Sequence, residues 1–346
     1  MRKKKAVITG ALVTGALVLL LAAALFRNYP AAPRRTTIDS FAMGTILSLT
    51  AHEGEEEALE QALQRIHQVD ALFARTNPRS AISRINRSAG GGSVFVQKEV
   101  FGVLSEAVRM AELTDGAFDP TVGAAVSLWG IGTEKTRVPE REELERVSRL
   151  IGYRGILLEH SLRVGLPVQG QELDLGGLAK GYAADEAVRV LKEARVRRAL
   201  VNIGGNVALL GGPWRIGIQH PLRPRGSVLA GMELSDLAVV TSGGYERFFE
   251  QDGRRFHHIL DPRTASPAES GLHSVTIVAD FSALADALST ACFVLGPERG
   301  TELLGRAEFR GTEGIFVTEN RRVLITKGLE GKLRLLDDDF VLQVMQ

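Results

Sequence analysis

Hydrophobic positions along this chain follow two periods, and together they predict a protein of helices and strands. Apolar residues recur at the spacing of amphipathic helices in the first half, and strand-like runs dominate after residue 198. The predicted helices are residues 55–73, 98–113, 134–149, 178–194 and 282–295, and the predicted strands are residues 45–49, 199–203, 207–210, 214–218, 228–234, 238–241, 256–259 and 274–278. We predict a polar loop at residues 75–92, the strand at residues 45–49 as the first folded element, and a mixed α+β domain overall.

The amino-terminal segment has the pattern of a membrane anchor. Four cations at residues 2–5 precede a mainly apolar stretch of 21 residues, 6–26, which is long enough to cross a bilayer as a helix. The cations hold the start in the cytoplasm and direct the rest outward. We expect an uncleaved anchor, with a cleaved signal peptide and a secreted protein as the alternative. Residues 1–35 then form the anchor and linker, and residues 36–346 form the folded domain.

Composition and charge exclude some functions. The chain of 346 residues is 45% hydrophobic and 24% charged, which is ordinary for a globular protein. Its 42 Lys and Arg residues nearly balance its 41 Asp and Glu residues, so no global field attracts nucleic acid, and we expect no nucleic-acid partner. The single cysteine, Cys292, rules out an internal disulfide or a thiolate metal cage.

Two segments suit the binding of phosphate and a cation. Asp174 precedes the pair Gly176-Gly177 and a predicted helix; glycine lets the backbone approach a ligand, and a helix N-terminus offers amides to phosphate oxygens. Asp286 and Thr290 are four residues apart on another predicted helix, so their oxygens share one face and suit a hard cation such as Mg²⁺. A plain glycine turn and ordinary helix packing are the competing interpretations.

A pair of histidines ends one predicted strand. His257 and His258 precede a Pro-driven turn, where a histidine can titrate near neutral pH and accept a proton. A zinc site is the alternative, but no HExxH motif or cysteine partner supports it. An exposed histidine without a chemical role is the third reading. Separately, Asp115, Phe118 and Asp119 place two carboxylates and an aromatic ring in a tight loop.

Taken together and in this order, these segments resemble the FAD:protein FMN transferase (ApbE) family. The similarity extends from Phe41 to the carboxyl terminus. The matching blocks are Ala42-Met43-Gly44-Thr45, Ile82-Ser83-Arg84-Ile85-Asn86, Gly116-Ala117-Phe118-Asp119-Pro120-Thr121, residues 174–185, Ser242-Gly243-Gly244-Tyr245, residues 258–264 and residues 285–290. Seven blocks in one fixed order make a chance match improbable.

The resemblance implies the family's α+β fold, a mixed sheet with flanking helices, and a set of site residues. The residues implied to line the FAD site are Met43, Thr76, Ala117, Phe118, Asp119, Asp174, Lys180, His258 and Ile259. The implied metal ligands are Asp286, Thr290 and a backbone carbonyl near Gly177. His258 is the implied general base. Tyr182 and Asp185 are expected to serve helix packing and solvation.

The same resemblance implies an exported enzyme that splits its substrate FAD. The FMN half is attached to a Thr or Ser of another protein, and AMP is released, with Mg²⁺ as the metal and Mn²⁺ as the alternative. The implied acceptors are flavin subunits of membrane electron-transfer complexes, reached on the outer face of the membrane by the tethered enzyme. Two alternatives stay open: a metal-dependent FAD pyrophosphatase that yields FMN and AMP, and a non-catalytic extracytoplasmic flavin-binding protein.

Overall fold

The computed structural model describes residues 34–345. Its helices are α1 (Glu56–Phe73), α2 (Ala81–Arg87), α3 (Lys98–Leu113), α4 (Gly123–Trp129), α5 (Arg141–Ser148), α6 (Ala179–Glu193), α7 (Ser282–Leu295) and α8 (Pro297–Leu304). Its strands are β1 (Arg35–Ala42), β2 (Thr45–His52), β3 (Val94–Phe95), β4 (Leu157–Glu159), β5 (Arg163–Gly165), β6 (Ala199–Ile203), β7 (Asn206–Leu210), β8 (Trp214–Gln219), β9 (Val228–Leu234), β10 (Ala238–Gly243), β11 (Phe248–Gln251), β12 (Arg254–His257), β13 (Leu260–Asp261), β14 (Ser266–Pro267), β15 (Leu272–Ala279), β16 (Glu313–Thr318), β17 (Arg322–Ile325), β18 (Arg334–Leu335) and β19 (Val341–Val344).

A nine-stranded sheet forms the centre of the fold, in the order β1-β2-β6-β7-β10-β15-β16-β17-β19. Neighbouring strands are antiparallel except β17 and β19, which are parallel. Helices α1, α6 and α7 pack on one face, and the three-stranded sheet β18-β9-β8 packs on the other. The α+β class predicted from the hydrophobic periods is therefore confirmed.

Alternate residues of the central strands face two separate cores. In β10, Val240 packs with the helices, whereas Val239 packs under the three-stranded sheet, as the two-residue period of a strand requires. In β15, Ile277 and Val278 repeat the pattern. Because both faces of these strands are buried, their sequences read as continuous apolar runs, and the hydrophobic pattern finds them easily.

Helices α6 and α7 approach so closely that backbone meets backbone. A Cβ atom at Gly181 would lie 2.3 Å from the Ser282 carbonyl oxygen, so only glycine fits there. Asp185, one turn further along α6, accepts hydrogen bonds from the amides of Ser282 (2.7 Å) and Ala283 (2.9 Å). Amides in the first turn of a helix lack intrahelical partners, so this carboxylate caps α7. Asp185 therefore serves the packing of α6 on α7, and Tyr182 packs edge-on against Phe73 of α1, as the expected helix-packing role implies.

Most predicted elements are confirmed, but the polar loop predicted at residues 75–92 contains α2. Ser80 caps this helix, since its Oγ accepts a 3.0 Å hydrogen bond from the Ser83 amide. Ile82 and Ile85 are fully buried in the main core. The helix has only seven residues. Its two buried isoleucines are too few to reveal a helical period in the sequence.

One strand was not predicted, and two boundaries are wrong. β1 precedes the strand that was predicted to come first; it lies at the edge of the sheet and is half exposed, so its sequence is polar. The helix predicted at residues 134–149 begins only at Arg141. The strand predicted at residues 256–259 ends at His257, which places His258 in the connection to β13.

The predicted anchor and linker lie almost entirely outside the described residues, and Arg35 already belongs to β1. Among residues 34–345, no helix combines the length and the hydrophobicity that crossing a bilayer demands. The anchor, its alternative of a cleaved signal and the domain boundary at residue 35 stay predictions.

Asp185→Ala removes the cap of α7 and is expected to lower the free energy of unfolding by about 1–2 kcal/mol. The loss applies at pH 7, because burial raises the pKa of Asp185 only to about 6 and the carboxylate is still mostly ionised there. Urea denaturation followed by circular dichroism measures it. The matched control is Asp338→Ala at an exposed position, and equal stability of the two variants would contradict the cap.

Candidate active site

One cleft contains every residue that the family resemblance assigns to the site. The cleft has a cavity volume of about 430 Å³, and its lining includes Met43, Thr76, Ala117, Phe118, Asp119, Asp174, Gly177, Lys180, His258, Ile259, Asp286 and Thr290. That volume lies in the range of small-molecule sites. The structure thus brings together residues that are as much as 247 positions apart in the chain (43 to 290). Their individual roles stay predictions.

The turn between β1 and β2 forms one wall of the cleft. Met43 and Gly44 occupy its two central positions with positive φ angles of 53° and 70°, as a two-residue hairpin turn requires. Positive φ is uncommon for a residue such as methionine, and backbone strain of this kind is enriched at functional sites. Arg247 Nη2 donates a 2.7 Å hydrogen bond to the Gly44 carbonyl oxygen. Sequence reasoning missed Arg247, because its partner is 203 residues away.

His258 follows β12, and both its backbone and its ring contact Arg247. The amide donates to the Arg247 carbonyl oxygen at 3.1 Å, and Nδ1 lies 3.2 Å from the same oxygen. Because a carbonyl oxygen only accepts, Nδ1 carries the hydrogen and Nε2 keeps a free lone pair. Desolvation, followed by the charge of Arg247, lowers the pKa of His258 to about 3. The ring is therefore neutral at pH 7, and its Nε2 is unprotonated.

The neighbouring His257 has a structural environment instead. Its Nε2 lies 3.1 Å from the Ala268 carbonyl oxygen, and its ring meets Phe293 edge-on with centroids 5.3 Å apart. Residues 34–345 contain no group of three or more His, Cys, Asp or Glu side chains placed to hold a metal. The zinc alternative for the two histidines therefore gains no support.

Asp286 lies on α7 with a side chain that is only 3% exposed. Its Oδ2 accepts a 3.0 Å hydrogen bond from the Gly181 amide on α6. The Lys180 ammonium lies 3.3 Å from Oδ1 and 3.4 Å from Oδ2, and it also donates to the Gly176 carbonyl oxygen at 2.6 Å. A buried carboxylate without such partners would be strongly unfavourable. The start of α6 therefore supplies the compensation that Asp286 needs.

Thr290 and Gly177 add further oxygen atoms to this region. Thr290 follows Asp286 by one helical turn and packs against Gly177, where a Cβ atom would lie 2.8 Å from Thr290 Oγ1. Ser242 Oγ lies 3.5 Å from Thr290 Oγ1 and 2.8 Å from Ser289 Oγ. Carboxylate, hydroxyl and carbonyl oxygens are the ligands of a hard cation, so this donor set fits Mg²⁺. A single carboxylate also leaves coordination positions for water and substrate phosphates, as Mg²⁺ sites usually do.

Asp119 lines the cleft, but its carboxylate is occupied by its own loop. Oδ1 accepts from the amide (2.8 Å) and the hydroxyl (2.5 Å) of Thr121, and Oδ2 accepts from the Tyr153 amide at 3.0 Å. Burial raises the pKa of Asp119, and these hydrogen bonds oppose that rise. Its side chain therefore shapes the loop that presents Ala117 and Phe118 to the cleft.

Arg75 is a cleft residue that sequence reasoning missed. Its Nε lies 3.0 Å from Asp174 Oδ2, and its Nη1 lies 2.9 Å from Glu172 Oε2. Asp174 Oδ1 accepts a 2.7 Å hydrogen bond from the Gly176 amide, so both oxygens of this carboxylate hold the segment before α6. Thr76, the next residue, is exposed on the same wall. No periodicity or motif marks Arg75, since its acidic partners lie about a hundred residues further along the chain.

The cleft also has an apolar wall. Phe118, Trp129, Ile259 and Leu260 belong to its lining. Trp129 is held in place by a 2.8 Å hydrogen bond from Nε1 to the Ala265 carbonyl oxygen. Sequence reasoning missed Trp129, because its hydrogen-bond partner lies 136 residues away in the chain. Apolar and aromatic side chains in the same lining as charged groups suit a ligand with an aromatic ring and phosphates.

Comparisons with known proteins identify the family. The ApbE family model matches residues 43–316. The FAD:protein FMN transferase of Treponema pallidum is 38% identical over 305 residues, which cover 83% of this chain and 84% of the relative. The solved structure of the apbe protein of Thermotoga maritima has 35% sequence identity and a TM-score of 0.80, covering 86% of this chain and 99% of its own. The apo flavinyl transferase ApbE of Pseudomonas stutzeri has 30% identity and a TM-score of 0.71, covering 83% and 92%. This chain therefore belongs to the ApbE family.

Proposed function

We propose that this chain is an FAD:protein FMN transferase. It splits the FAD pyrophosphate and links FMN by a phosphoester bond to a Thr or Ser of an acceptor protein, with AMP as the second product. Family membership and the named relatives support flavin transfer. Mg²⁺ dependence, the hydroxyl acceptor and a position outside the cytoplasm complete the proposal.

The observation that supports this chemistry most directly is a neutral histidine in the same cleft as a set of oxygen donors. His258 offers Nε2 as a base, and Asp286 and Thr290 offer oxygens to a cation. Phosphoryl transfer to a hydroxyl needs these two things, a group that positions and deprotonates the nucleophile and positive charge at the phosphates. Lys180 adds a positive charge in the same lining.

FAD fits the remaining features of the cleft. Its isoalloxazine ring is flat and aromatic, and Phe118 and Trp129 supply aromatic side chains to the lining. Its pyrophosphate carries negative charge, which the start of α6 and Lys180 complement. Gly176 and Gly177 have no side chains, so the backbone can come close to such a ligand.

The proposed metal is Mg²⁺, with Mn²⁺ as the alternative. Asp286, Thr290 and the carbonyl of Gly177 would hold it, and when bound it would neutralise charge on the phosphate oxygens. Other groups of the protein hold these ligands in position before a metal binds. The Gly181 amide holds one oxygen of Asp286, and the packing of Thr290 on Gly177 sets the position of the hydroxyl.

The chemical step moves one proton. The acceptor hydroxyl oxygen attacks the FMN phosphorus and forms the new P–O bond, while the anhydride P–O bond to AMP breaks and AMP leaves as an anion. The hydroxyl proton passes to His258 Nε2. Throughout, Nδ1–H of the same ring stays bonded to the Arg247 carbonyl oxygen, which keeps the ring oriented.

The proposed place of action is the outer face of a membrane. The cations at residues 2–5 and the apolar residues 6–26 support an anchor with an exported domain. Acceptors would then be flavin subunits of electron-transfer complexes in the same membrane, and tethering would raise their local concentration. A secreted form after signal cleavage is the alternative.

A metal-dependent FAD pyrophosphatase is the second candidate function. The cleft that His258 lines has a volume of about 430 Å³, which leaves room for water to take the place of the acceptor hydroxyl. The same metal ligands and the same base would then yield FMN and AMP. A flavin-binding protein without catalysis is the third candidate, but it would leave His258 and Asp286 without a chemical role.

The proposed function is tested with the full chain in detergent, FAD, Mg²⁺ and a flavin-subunit domain as acceptor. We expect AMP in the chromatogram and an FMN mass increment on a Thr or Ser of the acceptor, in equal amounts. The control omits the metal and adds EDTA. AMP and free FMN without an adduct would instead support the pyrophosphatase, and FAD that stays intact in all mixtures would refute both enzymes.

His258→Ala is expected to slow FMN transfer by about 10²–10⁴-fold, the usual contribution of a positioned general base. Binding of FAD should change little, because the substitution removes one imidazole and leaves the other residues of the cleft lining in place. Transfer rates come from the adduct assay, and FAD affinity comes from flavin fluorescence. His160→Ala, at an exposed position, is the control. A His258 variant that transfers at the normal rate would place the base elsewhere.

The pH profile of transfer gives an independent check on His258. Because the fold lowers the pKa of its imidazole below the ordinary 6.5, the ring is neutral at pH 6.5 and above. We expect kcat/KM for FAD to stay level as the pH falls from about 8 to about 6 and to decline only below that. An acidic limb centred at 6.5 or higher would contradict the lowered pKa of His258.

A further inference from the structure

Lys180 and the proposed cation compete for one carboxylate. The ammonium lies 3.3 Å and 3.4 Å from the two oxygens of Asp286. A metal held by Asp286 would bring a second positive charge to the same oxygens, and like charges at such separations repel strongly in a partly buried site. Lys180 and a cation therefore cannot both keep their best contacts with Asp286.

The two oxygens of Asp286 are not equivalent. The Gly181 backbone amide occupies Oδ2 at 3.0 Å, and that amide cannot move without moving α6. Oδ1 has only Lys180 as its partner within hydrogen-bond distance among the described residues. Oδ1 is thus the oxygen that a metal would take from the lysine.

The Lys180 ammonium also donates to the Gly176 carbonyl oxygen at 2.6 Å, but its side chain can move more readily than that of Asp286. The lysine side chain is 24% exposed and lines the cleft, whereas the Asp286 side chain is 3% exposed. A lysine reaches its partners by a flexible four-carbon stem, and its ammonium is a compact point charge that can change partners. Once displaced, the ammonium stays in the cleft, where Asp174 already pairs with Arg75 and Asp119 is bonded to its own loop, so the phosphates of a nucleotide are anions that it can contact.

We infer that Lys180 is the resident counter-ion of Asp286 and that a divalent cation binds by displacing it onto the phosphates of the nucleotide. Lys180 thereby couples the binding of metal to the binding of a diphosphate ligand. The inference rests on the proposed metal site at Asp286 and Thr290. Coupling is reciprocal, so nucleotide must raise metal affinity by the same factor by which metal raises nucleotide affinity.

The test measures Mn²⁺ binding to the full chain by electron paramagnetic resonance at about pH 8, with and without ADP as a diphosphate probe, and a protein-free titration gives the Mn²⁺ held by ADP alone, which is subtracted. Without ADP, Lys180→Met should bind Mn²⁺ about tenfold more tightly than the wild type, since the competing cation is gone. With ADP, the wild type should gain about tenfold in Mn²⁺ affinity and Lys180→Met clearly less, within the usual range of coupling between sites. Lys180→Arg, which keeps the charge, should behave nearly like the wild type.

Two controls separate the possible failures. Lys192→Met removes an exposed lysine from the last turn of the same helix and should leave Mn²⁺ binding unchanged. Asp286→Asn should abolish binding with or without ADP. Lys180→Gln replaces the methionine variant if circular dichroism shows that Lys180→Met does not fold.

The outcomes point to different errors. If the wild type binds Mn²⁺ and the neutral Lys180 variants bind it equally or more weakly without ADP, the counter-ion inference is overturned while the metal site stands. If the wild type binds no Mn²⁺ in either condition, or if Asp286→Asn binds as tightly as the wild type, the metal site itself is wrong and the inference falls with it.

Discussion

The close contact between α6 and α7 is the constraint on which the rest of the site depends. Gly181 has no side chain, so the two backbones meet, and its amide reaches Oδ2 of Asp286 on the other helix. Asp185 reinforces the contact by capping α7 with both carboxylate oxygens. Since α7 also packs on β10 and β15 of the large sheet, main-chain geometry sets the separation of the Lys180 and Asp286 backbones, and only the lysine side chain can change its contact with the carboxylate.

The proton acceptor has a separate support. His258 is held by the Arg247 carbonyl, and the Arg247 side chain is in turn bonded to the hairpin turn at Gly44. Burial disfavours charge in both halves of the site, but the two halves differ in the partners that offset this cost. For His258 burial favours the neutral base, whereas the buried carboxylate of Asp286 is balanced by Lys180 and a backbone amide. One cleft can therefore contain a neutral base beside a charged cation site.

The strands buried on both faces and the long amphipathic helices could be predicted from the hydrophobic pattern, because burial alone determines their periods. The site residues could be predicted only because their segments match a family in order; Asp286 and Thr290 by themselves also suit ordinary packing. Arg75 and Arg247 could not be found, since each acts through a partner remote in sequence. β1 escaped detection because an exposed edge strand has little need of apolar residues.

The β1–β2 hairpin also gives the molecule a length scale. β1 is eight residues long, so Arg35 lies roughly 24 Å from Ala42, which directly precedes the turn in the cleft wall. We propose that residues 6–26 hold the chain at a membrane. The distance from the membrane to Ala42 is then at most about 55 Å, the fully extended length of residues 27–42. The height of the cleft above the lipid is then bounded by the fold. An acceptor whose hydroxyl stands farther out would go unmodified, however well its surface matched.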